Sequence, residues 1–107
     1  MTDEITLYMS DIDMPMGRYR SQGDSSGEAF RDDVLIPAFE VYEWVYLHLD
    51  NGLGYGSSFL EEVFGGLVRN TKMTLDEMRH RFSISCHEDP RLVDICWGFI
   101  TDEFNRQ

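Results

Sequence analysis

Three short segments of this chain alternate apolar and polar residues, and each places its apolar side chains on a single face. Ile5, Leu7 and Met9 alternate with Thr6 and Tyr8; Val45, Leu47 and Leu49 alternate with Tyr46 and His48; Phe82, Ile84 and Cys86 alternate with Ser83 and Ser85. Successive side chains of a strand point to opposite sides, so each segment reads as a half-buried strand. The Thr, Tyr, His and Ser residues of the other face are poor companions for a second helical layer. Helices should therefore cover one side of the sheet.

Helical patterns lie between these strands. Phe30, Val34, Ala38 and Val41 recur at helical spacing, and Ser25 with Glu28 has the spacing of a capping box, so a helix should begin near Ser26. Pro37 is expected to kink or end it, because proline lacks the amide and clashes with the preceding turn. Phe59, Leu60, Val63, Phe64, Leu67 and Val68 form the apolar stripe of a second helix, with Glu61, Glu62 and Arg69 on its polar side. Thr74 and Glu77 form a capping box for a short helix from Leu75 to about His80, and Asp89 followed by Pro90 starts the last one. Strand and helix alternate, which favours right-handed crossovers and parallel pairing for at least the last two strands. The predicted fold is α/β: a two-layer sandwich with a small mixed or parallel sheet and helices on one face.

A length of 107 residues suits a single domain, 1–107, in which residues 10–26 form a long connection rich in Asp, Gly, Ser and Pro. With 42% apolar residues and no apolar run near the ~20 that span a bilayer, the chain should be globular and outside the membrane. Its acidic start, Met1-Thr2-Asp3-Glu4, lacks the basic flank of a signal peptide, which points to the cytoplasm and to Cys86 and Cys96 as thiols. The net charge is −11, and residues 1–50 carry eleven acids against three bases. Such a surface repels the phosphate backbone and argues against direct binding of nucleic acid. It leaves open an acidic inhibitor that mimics nucleic acid and occupies the basic groove of a DNA-handling protein, as some phage-borne proteins do.

No catalytic constellation stands out. His48 has no serine or cysteine partner that this layout places beside it, and His80, Cys86 and His87 match no zinc spacing. Asp32-Asp33 and Glu61-Glu62 are neighbours that diverge on a helix. The glycines at 52, 54 and 56 lack the lysine of a phosphate-binding loop, so turn geometry accounts for them. No metal or cofactor is implied, and the chain reads as a non-enzyme. Ser58 and Glu61 have the spacing of a helix cap, Gly65-Gly66 calls for a closely packed neighbour, and Trp97 and Phe104 are expected in the core.

Two motifs carry a family resemblance. Arg31-Asp32-Asp33-Val34-Leu35-Ile36-Pro37-Ala38 and Gly54-Tyr55-Gly56-Ser57-Ser58-Phe59-Leu60-Glu61-Glu62 resemble the STAS-like domains of unknown function, related to the anti-sigma-factor antagonists, over about Arg18 to Ile100. In those antagonists the strand-to-helix turn bears a hydroxyl that a partner kinase phosphorylates. The resemblance thus implies Ser57 or Ser58 as the candidate phosphoacceptor and a histidine-kinase-type ATPase as the protein partner. Gly56 stands where the antagonists carry aspartate, and Phe59 where they carry glycine. The expected partner surface comprises Gly54, Tyr55, Gly56, Phe59, Glu61 and Glu62, joined by Arg18, Tyr19 and Arg20 of the long loop, whose arginines could grip a phosphate or carboxylate. The sheet's open face could also pair two copies as a homodimer.

Overall fold

The computed structural model describes residues 3–12, 15–50 and 54–107. Gly52, one of the turn glycines, and residues 13 and 14 of the 10–26 connection lie outside the described residues, as do Met1 and Thr2. The strands are β1 (Glu4–Tyr8), β2 (Trp44–His48) and β3 (Phe82–Ser85), in spatial order β1-β2-β3. Both pairings are parallel, so Leu7, Leu47 and Ile84 form one row across the sheet and Tyr8, His48 and Ser85 another.

The alternation of apolar and polar residues is reproduced in burial. Val45, Leu47, Phe82 and Ile84 are buried, whereas Thr6, Tyr8 and Ser83 on the opposite face are exposed. One side of the sheet therefore packs into the core and the other remains open, as expected of a two-layer sandwich. The helical layer consists of α1 (Gly27–Phe30), a π-helical turn (Arg31–Leu35), α2 (Ile36–Val41), α3 (Ser57–Arg69), α4 (Leu75–Arg81) and α5 (Pro90–Arg106). Phe59, Val63, Phe64 and Leu67 of α3 and Cys96 and Ile100 of α5 fill the interior. Trp97 is partly buried and packs on Phe82, with ring centroids 6.0 Å apart, and Phe104 also lies against the core.

Several helix boundaries follow local chemistry. Thr74 and Glu77 form the reciprocal cap of α4, and the Asp89 carboxylate caps α5 with Pro90 at its first position. The first helix departs from expectation in three ways. Its cap is Ser26, whose hydroxyl accepts the Ala29 amide, rather than Ser25. Pro37 does not end the helical run; a π-helical turn precedes it, in which the Ile36 amide donates to the Arg31 carbonyl, and α2 continues to Val41. One extra residue in a turn rotates everything after it by about 100°. Leu35 and Phe39 consequently face the core, while Val34 and Val41, expected inside from an uninterrupted helical period, are exposed.

From Met16 onward the long loop is folded back on itself. Met16 donates to the Ser25 carbonyl, Gly27 to that of Gly17 and Glu28 to that of Arg18, which clamps the loop back on the start of α1. Gly27 also fixes how close α1 comes to α3: a Cβ there would lie 2.7 Å from the Phe59 carbonyl oxygen. Arg81, at the end of α4, donates to the carbonyls of Phe39, Tyr42 and Glu43 and so ties the end of α2 to the sheet.

Candidate functional site

The site begins with the turn into α3. Gly56 is the N-cap in an extended conformation, Ser57 and Ser58 are the first two helical residues, and no side chain caps the helix. The expectation that Ser58 and Glu61 form a cap is therefore corrected: Ser58 lies inside the first turn, and Glu61 is engaged elsewhere. Both serines are exposed. The amides of a first helical turn lack intrahelical acceptors, and the helix dipole favours negative charge there.

Glu61 and Glu62 were expected on the polar side of the helix, available to a partner. They are instead the centre of an ion-pair network. Glu61 is paired with Arg18 of the folded loop and with Arg69 one helical segment on, the latter at 2.8 Å. Glu62 is buried and paired with Arg31 of the π-helical turn, itself buried, and Arg18 contacts it as well at 3.3 Å. Arg69 continues to Glu103 of α5 at 2.7 Å, and Arg106 reaches the same carboxylate. The hydrogen bond from Arg69, reinforced by Arg18, holds the Glu61 carboxyl far below its usual range, at about 2. The Arg31 guanidinium is raised: burial pushes it down, but its bonds to Asp32 and Glu62 outweigh burial.

This network explains the paired glycines in α3. The neighbour that comes close is a side chain: a Cβ on Gly66 would collide with the Arg31 guanidinium, and one on Gly65 with the Glu61 carboxylate. The glycines leave the volume in which the ions meet. The network also changes the electrostatics of the turn, since the two carboxylates that would repel an anion at Ser58 are each paired with arginine.

The remaining members of the expected partner surface divide by exposure. Tyr19 is about half exposed, and Gly54 and Gly56 are exposed. Arg20 is bound to Asp33 through two hydrogen bonds of 2.9 and 2.6 Å, which brace the loop against the π-helical turn. Tyr55 is half-buried; its hydroxyl donates to the Leu49 carbonyl at 2.7 Å, and burial pushes the phenol up to about 12. Phe59 is 1% exposed and lies in the core, so it shapes the turn from beneath and is not part of a contact surface. Glu62 is removed from that surface on the same ground.

The reading of His48 is also corrected. The β2–β3 register places Ser85 beside it, and the Ser85 hydroxyl lies 2.6 Å from His48 Nδ1. Tyr8 stacks on the imidazole, with centroids 5.1 Å apart, so the three residues form a hydrogen-bonded, stacked row on the open face. That pairing depends on register, which no local pattern reveals. Cys86 and Cys96 are buried free thiols, both pushed up by burial. Among the described residues no group of His, Cys, Asp and Glu is arranged to hold a metal ion, and no helix is long and apolar enough to cross a membrane.

Comparison with curated proteins and with solved structures found no match. A family model does match, over residues 26–86, a narrower span than the motifs suggested: it runs from the cap of α1 through the ion-paired helix α3 to just past β3, and so contains both motifs and the exposed serines. The chain belongs to the family of STAS-like domains of unknown function.

Proposed function

We propose that this chain is a non-enzymatic regulatory module that works by protein contact at the start of α3, and that Ser57 or Ser58 is a phosphoacceptor for a histidine-kinase-type ATPase in the cytoplasm. The observation that carries this reading is the exposure of both serines at the N-terminus of a 13-residue helix whose nearest carboxylates on the helix are already paired. A phosphate there would meet free amides and the positive end of the helix dipole, with the repulsion of Glu61 and Glu62 largely offset. The partner surface in this reading is Arg18, Tyr19, Arg20, Gly54, Tyr55, Gly56 and the two serines. The open face of the sheet, with Tyr8, Tyr46 and His48, is the surface offered to a second copy.

Intact-mass measurement after co-expression with a histidine-kinase-type ATPase from the same genome tests the switch. The expected result is a mass increase of one phosphate that disappears in Ser57→Ala/Ser58→Ala. An unmodified wild-type chain removes the phosphoacceptor reading. The rival, an acidic mimic of nucleic acid, would instead bind a basic DNA-handling protein with steep salt dependence and be indifferent to changes in the turn.

A further inference from the structure

A cleft of about 260 Å³ opens at the carboxyl ends of β2 and β3, between the turn that leads into α3 and the start of α5. Its walls include Leu49, the Tyr55 ring, the Cys86 thiol and Leu92, and Glu88 and Asp89 border it. Among the described residues no cationic side chain lines the cleft. Asp50 beside it accepts the Glu88 amide at 2.9 Å, which, as the largest cause, lowers its carboxyl below the usual range.

We infer that this cleft receives an arginine side chain presented by a protein partner. An arginine suits both parts of the cleft. Its methylene stem covers apolar surface while the guanidinium remains at the charged border, and its planar fork pairs with a carboxylate in two bonds. A hydrated metal ion would have to shed water against Leu49 and Leu92, and an anion would meet two carboxylates. The border already contains a weak internal rival: Arg91, 87% exposed at its side chain, contacts Asp89 at 3.2 Å. The incoming guanidinium displaces it. The inference rests on the reading of this edge as partner-facing, because Gly54 and Tyr55 belong to both, and it specifies the chemistry of what docks there.

The test is a chemical-shift titration of the full chain with N-acetylarginine methylamide, against its neutral isostere N-acetylcitrulline methylamide. Saturable shifts at Tyr55, Cys86, Glu88 and Leu92, several-fold weaker with citrulline, are expected. Asp89→Asn, which keeps an acceptor for the α5 cap, should weaken binding about fivefold. Arg91→Ala should tighten it by removing the competitor. The inference is overturned by equal binding of citrulline, by the absence of saturable shifts at these residues, or by indifference to both variants. A chain that is phosphorylated by the proposed ATPase and yet ignores the arginine probe loses the cleft inference alone. One that binds the probe but is never phosphorylated loses the switch alone.

Discussion

Alanine at Gly66 and alanine at Gly98 make the same chemical change in two helices, and the fold gives them opposite signs. Glycine in a helix interior costs roughly 0.5–1 kcal/mol relative to alanine. At Gly98, in α5, an added Cβ meets nothing within 4 Å, so Gly98→Ala should stabilise by about that amount. At Gly66 the Cβ would enter the space held by the Arg31 guanidinium and come within 3.1 Å of a Glu62 carboxylate oxygen. Arg31 and Glu62 are 4% and 7% exposed, so neither ion has water to fall back on if the pair is pushed apart. Breaking a buried pair costs about 3–5 kcal/mol, and the propensity gain returns about 1, which leaves Gly66→Ala destabilised by roughly 2–4 kcal/mol. Urea unfolding followed by circular dichroism separates the two variants by midpoint at unchanged slope. A Gly66→Ala protein as stable as the wild type would refute the claim that the glycine exists to admit Arg31.

Other consequences of the same packing are accessible. Gly27→Ala should destabilise by about 1–3 kcal/mol, because the methyl group would press on the Phe59 backbone carbonyl, which cannot rotate away; thermal unfolding checks it. Arg31→Met should cost roughly 2–3 kcal/mol, less than a fully broken buried pair, because Glu62 loses its main partner but keeps Arg18 at 3.3 Å and Arg69 at 3.8 Å; the double variant Arg31→Met/Glu62→Leu should recover most of that loss, as read from denaturant midpoints. Stability should also fall on acidification. Glu61 titrates near 2 when folded against a usual 4.5, so its contribution is complete above about pH 5 and is lost as pH drops from there toward 2. Solvent screening leaves a contribution on the order of 1 kcal/mol, and Glu61→Gln should flatten that part of the stability–pH curve.

The parts of the fold that could be read from the chain are those set by local chemistry. Alternation in Ile5–Met9, Val45–Leu49 and Phe82–Cys86 needs only the two-residue period of a strand, and the caps at Thr74 and Asp89 need only their own next turn. The π-helical turn was not legible because a single inserted residue leaves no composition mark. Its consequence, Leu35 and Phe39 inward in place of Val34 and Val41, is visible only once the register is known. The burial of Glu62 runs against the rule that a charged helix residue faces solvent. The available signal was the glycine pair one turn along, which is costly in a helix unless something large must pass over it. Ser85 beside His48, and the cleft between the β2 turn and α5, arise from segments distant in the chain that the parallel register brings together. The exposed serines, by contrast, follow from a strand, a glycine-rich turn and an amphipathic helix read in sequence.

The central claim is that the start of α3 is the surface another protein recognises. It is tested most directly by calorimetric titration of the proposed partner, a histidine-kinase-type ATPase from the same genome, into the wild-type chain, Ser57→Arg/Ser58→Arg and, as a control on the open sheet face, Tyr46→Arg. The account predicts binding by the wild type and by Tyr46→Arg, and its loss in the serine double variant while the fold is retained. Binding that survives the double serine variant and fails with Tyr46→Arg would contradict it and move the recognition surface to the sheet.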